Sequence, residues 1–143
     1  MPDDRDLAQL AAIIYGEGAS TGEDTMKMIG SSVLNRLDAQ KAKEFGINLE
    51  EVGKKGYYAV KDNTDLYQQA ITGNFPDKAS ENAYKRALAI GSGLMRGTIK
   101  RHKAQFYFTP KEITKLKKKG KKAFDFNAVQ EQGDVGDYRT FSY

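Results

Sequence analysis

The chain has 143 residues, 39% of them hydrophobic and 29% charged, the size and mixture of one globular domain able to bury a core without staples. It has no cysteine and a single histidine, His102, which excludes disulfides and thiolate catalysis and argues against a histidine-based metal site or a Ser–His nucleophile. A net charge of +4 with a pI near 9.1 suits an anionic partner such as cell-wall polymer, nucleic acid or lipid headgroups, and no apolar run approaches the ~18 residues of a membrane span.

The opening "MPDDRD" lacks the basic start and apolar run of a secretory leader. A protein acting outside the cytoplasm would then be phage-encoded, delivered by a secretion machine, or an excised domain. Leu7, Leu10, Ala11 and Ile14 keep helical spacing, which predicts a first helix begun by Asp3, Asp4 and Asp6 and stopped by Gly16 or Gly18. Glu17, in "AAIIYGEGAS", falls just past its end. A second helix is predicted from Thr21 as N-cap, with Asp24 as a weak capping-box acid and Met26, Ile29, Val33 and Leu37 along one face.

Residues 45–63 are punctuated by glycine and predict only short elements. "TDLYQQAITG" predicts a short helix ended by Gly73. "SENAYKRALAIGSGLMRG" predicts a stronger one, opened by Ser80, with Ala83, Ala87, Leu88 and Leu94 toward the core. "AQFYFTP" then fits a strand, with Tyr107 on the face opposite Phe106 and Phe108. "TPKE" is a helix start, with Thr109 as N-cap, Pro110 at the first position and Glu112 closing the box. The tail "GDVGDYRTFSY" suits a final strand. With no repeat or linker, residues 1–143 form one α+β domain, mostly helical with a small β-sheet. The lysine run "KLKKKGKK" at 115–122 reads as a solvated surface at a helix end. No aromatics are interleaved with it, so it makes a poor stacking platform and a nucleic-acid partner is not expected.

Five motifs stand in order: "YGEG" at 15–18, "VLNR" at 33–36, "GYYAVKDN" at 56–63, "FYFTP" at 106–110 and "GDYRTF" at 136–141. This order resembles the cell-wall hydrolase family typified by spore cortex-lytic enzymes, which is similar to lytic transglycosylases and has a lysozyme-like fold. The family's glutamine in the third motif is Gly56 here. The histidine of the last motif is replaced by Tyr138 or Arg139, and an acid that often follows the first glutamate falls on Thr21. The resemblance implies a peptidoglycan-cleaving enzyme, acting on the cell wall with glycan strands as its partner, and implies neither cofactor nor metal.

Glycosidic cleavage needs an acid to protonate the leaving oxygen. An ordinary carboxyl, with a pKa of about 4.3, is ionised at neutrality, and an apolar wall favours its protonated form. "AAIIY" is the candidate wall for Glu17, and the flanking glycines would let the backbone turn and a sugar approach. The resemblance implies that this single carboxylate gives a proton and then takes one from the C6 hydroxyl of muramic acid, leaving a 1,6-anhydro end. The candidate second carboxylates for a hydrolase are Glu23, Asp24 and Asp62. Tyr57, Tyr58, Asp62, Tyr107 and Tyr138 are the candidate substrate contacts, although Tyr57 and Tyr58 equally suit a core. Asn35 suits a scaffold hydrogen bond, and His102 an exposed basic position. The alternative is a non-enzymatic peptidoglycan-binding or structural module on the same fold, with any immunity or virion partner unspecified.

Overall fold

The computed structural model describes residues 3–143. Among them, eight α-helices and a three-stranded antiparallel sheet make an α+β architecture dominated by helix. The helices are α1 (Asp4–Gly18), α2 (Glu23–Asp38), α3 (Ala42–Phe45), α4 (Leu49–Gly56), α5 (Tyr58–Lys61), α6 (Asp65–Thr72), α7 (Lys78–Arg96) and α8 (Pro110–Lys119). The strands are β1 (Phe106–Phe108), β2 (Gln130–Val135) and β3 (Tyr138–Ser142), in the spatial order β1-β3-β2. No helix among the described residues is long and apolar enough to cross a membrane.

Helix α1 is the axis of the molecule, packed on α2, α6 and α7. Leu10 to Tyr15 are buried without interruption, as expected of a helix surrounded on all sides. Gly30 lets α2 approach, since a Cβ there would lie 2.6 Å from Leu94 and 2.8 Å from Ile14. Met26, Ile29 and Val33 of α2 and Ala83, Ala87, Ile90 and Leu94 of α7 complete this core.

Local signals explain most helix ends. Thr64 caps α6 by accepting from Tyr67 N–H, and Gly73 ends it in the left-handed region at φ 74°, where a Cβ is unfavourable. Thr109 and Glu112 form the full capping box of α8, behind Pro110. Two starts differ from expectation. Helix α2 begins after Gly22, because the Thr21 hydroxyl donates back to Gly18 C=O at 2.7 Å. Helix α7 begins before Ser80, because Asp77 caps it by accepting from Ser80 N–H.

The sheet pairs Phe106 with Phe141, Tyr107 with Thr140 and Phe108 with Arg139. Strand alternation therefore puts Phe106, Phe108 and Phe141 on one face and Tyr107, Tyr138 and Thr140 on the other. The first face builds a second core with Phe45, Ile113, Phe124 and Phe126. Strand β2 was not predicted: "QEQGDV" is mostly exposed and carries an irregularity between Glu131 and Asp134, as an edge strand permits.

Candidate active site

Glu17 lies within the last turn of α1, not beyond it. Its glycine neighbours are both helical and serve close approach. A Cβ on Gly16 would lie 2.7 Å from Ala59 Cβ, and one on Gly18 would lie 2.7 Å from Ile29. Gly16 thus lets the short helix α5 close on α1. As a result Ala59 N–H donates to Glu17 Oε2 at 3.0 Å. From the other side the Tyr107 hydroxyl donates to Oε1 at 3.0 Å. One donor on each oxygen fixes the half-buried carboxylate in one orientation and leaves a lone pair on each.

This carboxylate stands in an open cleft of about 420 Å³, lined by Gly16, Arg36, Gly56, Tyr58, Tyr107, Phe108, Glu112 and Tyr138. The Tyr107 hydroxyl is held well above the ordinary tyrosine range, first by burial and then by the Glu17 charge, so it remains a donor at neutral pH. Tyr138 sets its ring against Tyr107 edge-on, with centroids 5.1 Å apart. Burial raises the Tyr138 hydroxyl, with smaller contributions from the charges of Glu112 and Glu17; it stands within the field of both carboxylates. Tyr58 is exposed, and its hydroxyl is raised by a hydrogen bond to Asp62 and by that residue's charge.

The structure thus gathers Glu17, Tyr58, Tyr107 and Tyr138 around one opening. Asp62 reaches that opening only through Tyr58, from its place as C-cap of α5. Tyr57 is a correction: it is 1% exposed, its hydroxyl pairs with Ser32 at 2.7 Å, and it is a core residue with no face for a sugar. Glu23 is exposed in the first turn of α2 and is not part of the cleft lining. Asp24 faces a different concavity, of about 570 Å³, shared with Lys27, Lys100 and Lys103. The run Ala11–Tyr15, expected as an apolar wall for Glu17, is fully buried within the α1 core, and the cleft wall is built from tyrosines instead. His102 is also corrected: it is half-buried, and its Nδ1 accepts from Ala104 N–H at 3.0 Å. Asn35 is the scaffold residue expected, donating to His102 C=O and Ala104 C=O at 2.7 and 2.8 Å.

Two residues of the cleft were not singled out from the sequence. Glu112 was read only as a capping acid, and one oxygen does accept from Thr109 N–H at 2.9 Å. Its position in the residues after "FYF" is what brings it beside Tyr138. Arg36 was passed over beside Asn35. Its signal lay in periodicity: it continues the Ile29, Val33 stripe of α2, where a charge is unexpected.

Comparison of the chain with protein-family models, curated proteins and solved structures gives no match. Among the described residues, no group of three or more His, Asp or Glu side chains is placed to hold a metal ion.

Proposed function

We propose that the protein cleaves the glycan strands of bacterial peptidoglycan between N-acetylmuramic acid and N-acetylglucosamine, with Glu17 as the general acid and base. The observation that carries this is the carboxylate held between Ala59 N–H and the Tyr107 hydroxyl, at an opening walled by Tyr58 and Tyr138. A fixed carboxyl supplies the proton, and aromatic rings offer faces to sugar rings. The motif order shared with cortex-lytic cell-wall hydrolases supports the same assignment.

In the first step the Glu17 carboxyl protonates the glycosidic oxygen as the bond to muramic C1 breaks, through an oxocarbenium-like transition state. In the second the resulting carboxylate takes the proton of the muramic C6 hydroxyl as its oxygen bonds to C1. Glu17 ends as it began, and a 1,6-anhydromuramic end is left. Glu112 favours a second outcome, hydrolysis, because it lines the same cleft and could orient a water. One Glu112 oxygen is occupied by the Thr109 cap, and Glu17 needs no second carboxylate when the muramic C6 hydroxyl is the nucleophile, so the anhydro route is preferred.

Mass spectrometry of digested peptidoglycan tests this. Anhydromuramic ends resistant to borohydride are expected. Reducible muramic ends would move the assignment to hydrolysis through Glu112. Absence of cleavage by folded protein on peptidoglycans of several compositions would leave the binding-module alternative.

A further inference from the structure

Arg36 is 9% exposed, yet among the described residues no carboxylate lies within 4.0 Å of its guanidinium. Its Nε donates to Gln105 C=O at 2.6 Å; no acceptor among the described residues meets its terminal nitrogens, which reach the solvent of the cleft rather than being buried unpaired. Buried charges are ordinarily paired, because an uncompensated ion out of water is costly. Three rings give partial compensation: the guanidinium carbon lies 4.7 Å from the centroid of Tyr57, 4.9 Å from that of Phe106 and 5.6 Å from that of Phe45. Such a cage holds the planar fork rigidly without using its terminal N–H donors.

Those donors face the Glu17 cleft. Arg36 lines it together with Gly56, and a Cβ built on Gly56 would overlap Arg36 Nη1. Gly56 does not have a positive φ, so its backbone does not require glycine; the space in front of the guanidinium does. Gly56 is also where the chain lacks the glutamine of the motif it resembles.

We infer that Arg36 is an anion-binding subsite of this cleft, taking a carboxylate carried by the glycan strand: the lactyl carboxylate of a muramic acid without its stem, or a carboxylate of the stem peptide. This rests on the proposed glycan-cleaving function. Chitin strands, which keep the β-1,4 linkage but carry N-acetylglucosamine in place of every muramic acid and so have neither lactyl group nor carboxylate, should be poor ligands. A planar fork held by aromatic rings and meeting a carboxylate supplies both affinity and register along the strand. Glu17 and Glu112 in the same cleft carry charge of the carboxylate's own sign, which leaves Arg36 as the attractive group of the lining.

The test is made on the ligand first, so that it does not depend on replacing a buried residue. Calorimetry on Glu17→Gln protein, which should not cleave, would compare stem-free strands, stem-bearing strands and chitohexaose. Each carboxylate-bearing strand would also be tested after conversion of its carboxyls to amides, with free amines acetylated beforehand. Amidation should weaken one of the two strand types by ~10–100-fold, the usual worth of a charge-assisted hydrogen bond, and which one weakens identifies the source of the carboxylate. Gly56→Ala keeps the arginine's charge but displaces it, and should shrink that ratio toward one; Arg36→Gln should abolish it. A merely structural Arg36 would not distinguish acid from amide.

Equal affinity for acid and amide in both strand types overturns the subsite. If wild-type protein still cleaves those strands, glycan cleavage stands without it. If wild-type protein cleaves nothing while amidation still weakens binding, the subsite stands on a binding module. If no strand binds, both are overturned.

Discussion

The two faces of the small sheet use nearly the same side chain for different ends. On one face Phe106 and Phe141 are buried with Phe45 and Ile113, and Phe108, Phe124 and Phe126 pack around them. The rings meet at angles from 45° to 74° across the Phe106–Phe124, Phe108–Phe124, Phe108–Phe141 and Phe126–Phe141 pairs. On the other face each key ring carries a hydroxyl: Tyr107 donates to Glu17, and the Tyr138 hydroxyl is raised by burial and, less, by the charges of Glu112, Glu17 and Asp137. Within this sheet the hydroxyl separates the two faces, although buried Tyr15 and Tyr57 show that a phenol also serves a core when its O–H finds a partner there. An apolar ring gives its whole surface to burial, whereas a phenol must direct its O–H to a partner.

The sharpest break of this contrast is on the tyrosine face. Glu17→Gln keeps the size of the side chain but cannot donate and recover a proton, so the proposed cleavage should fall by ~10²–10⁴-fold, while the protein stays folded at the assay temperature. Glu23→Gln, on the exposed start of α2, should leave the rate within about twofold, as expected of a surface position. Retention of more than about a tenth of the activity by Glu17→Gln would remove it from the general-acid role.

Phe106→Ala breaks the other face. It removes a ring 7% exposed that touches Phe45 and Phe124 and supports the Arg36 guanidinium. Denaturant unfolding should show a loss of about 3–5 kcal/mol, the usual range for emptying an aromatic core position. A loss under about 1 kcal/mol would mean that the phenylalanine face does not hold the fold.

Tyr107→Phe is the cross-test, since it turns the cleft residue into its neighbours' type. The ring stays and the donor to Glu17 Oε1 is lost. A hydrogen bond to a charged group contributes about 1.5–3 kcal/mol, so kcat/KM should fall by roughly 10–100-fold while unfolding changes little. The reverse result, lost stability with intact rate, would assign Tyr107 to the core.

What was legible beforehand follows the same division. Local signals carried their elements: the Thr109–Glu112 box, Gly73 after α6, and the alternation that sets Tyr107 against Phe106 and Phe108. What failed was tertiary. Nothing in "GYYAV" says which tyrosine is buried; that is decided by α4 and α5 folding over Ser32, which takes Tyr57 and releases Tyr58. Gly16 looked like a chain stop because its role, admitting Ala59, depends on a segment more than 40 residues away. Arg36 and Glu112 were hidden behind local duties as a helix residue and a cap. The exposed β2 has no apolar alternation to announce it.

A smaller effect arises where the chain enters β1. Burial lowers the His102 pKa, and neutral Nδ1 accepts from Ala104 N–H. The unfolded chain therefore takes up a proton that the folded chain resists, so stability is complete above the unfolded value of about 6.5 and declines as pH falls below it. Melting temperatures at pH 7.5 and 5.5 should differ more for wild type than for His102→Gln. Equal differences would show that this imidazole does not help set the strand.

The smallest effect is expected from the lysines at the end of α8, which border the phenylalanine face. Lys117, Lys118 and Lys119 occupy the last turn, where they favour the negative end of the helix dipole. All three are exposed, but Lys117 also lies 5.5 Å from the Phe126 ring centroid, a contact not found for Lys118 and Lys119. If the run steers the protein toward anionic wall polymer, replacing Lys118 and Lys119 by Gln should weaken binding a few-fold at low salt. The difference should fade above ~0.15 M, where the Debye length is about 8 Å. Lys117→Gln should instead cost about 0.5–1 kcal/mol of stability through the lost cation–π contact, with little dependence of binding on salt. A salt-independent loss of activity in the double variant would mean that these lysines touch the strand itself, and the phenylalanine side would then share in recognition.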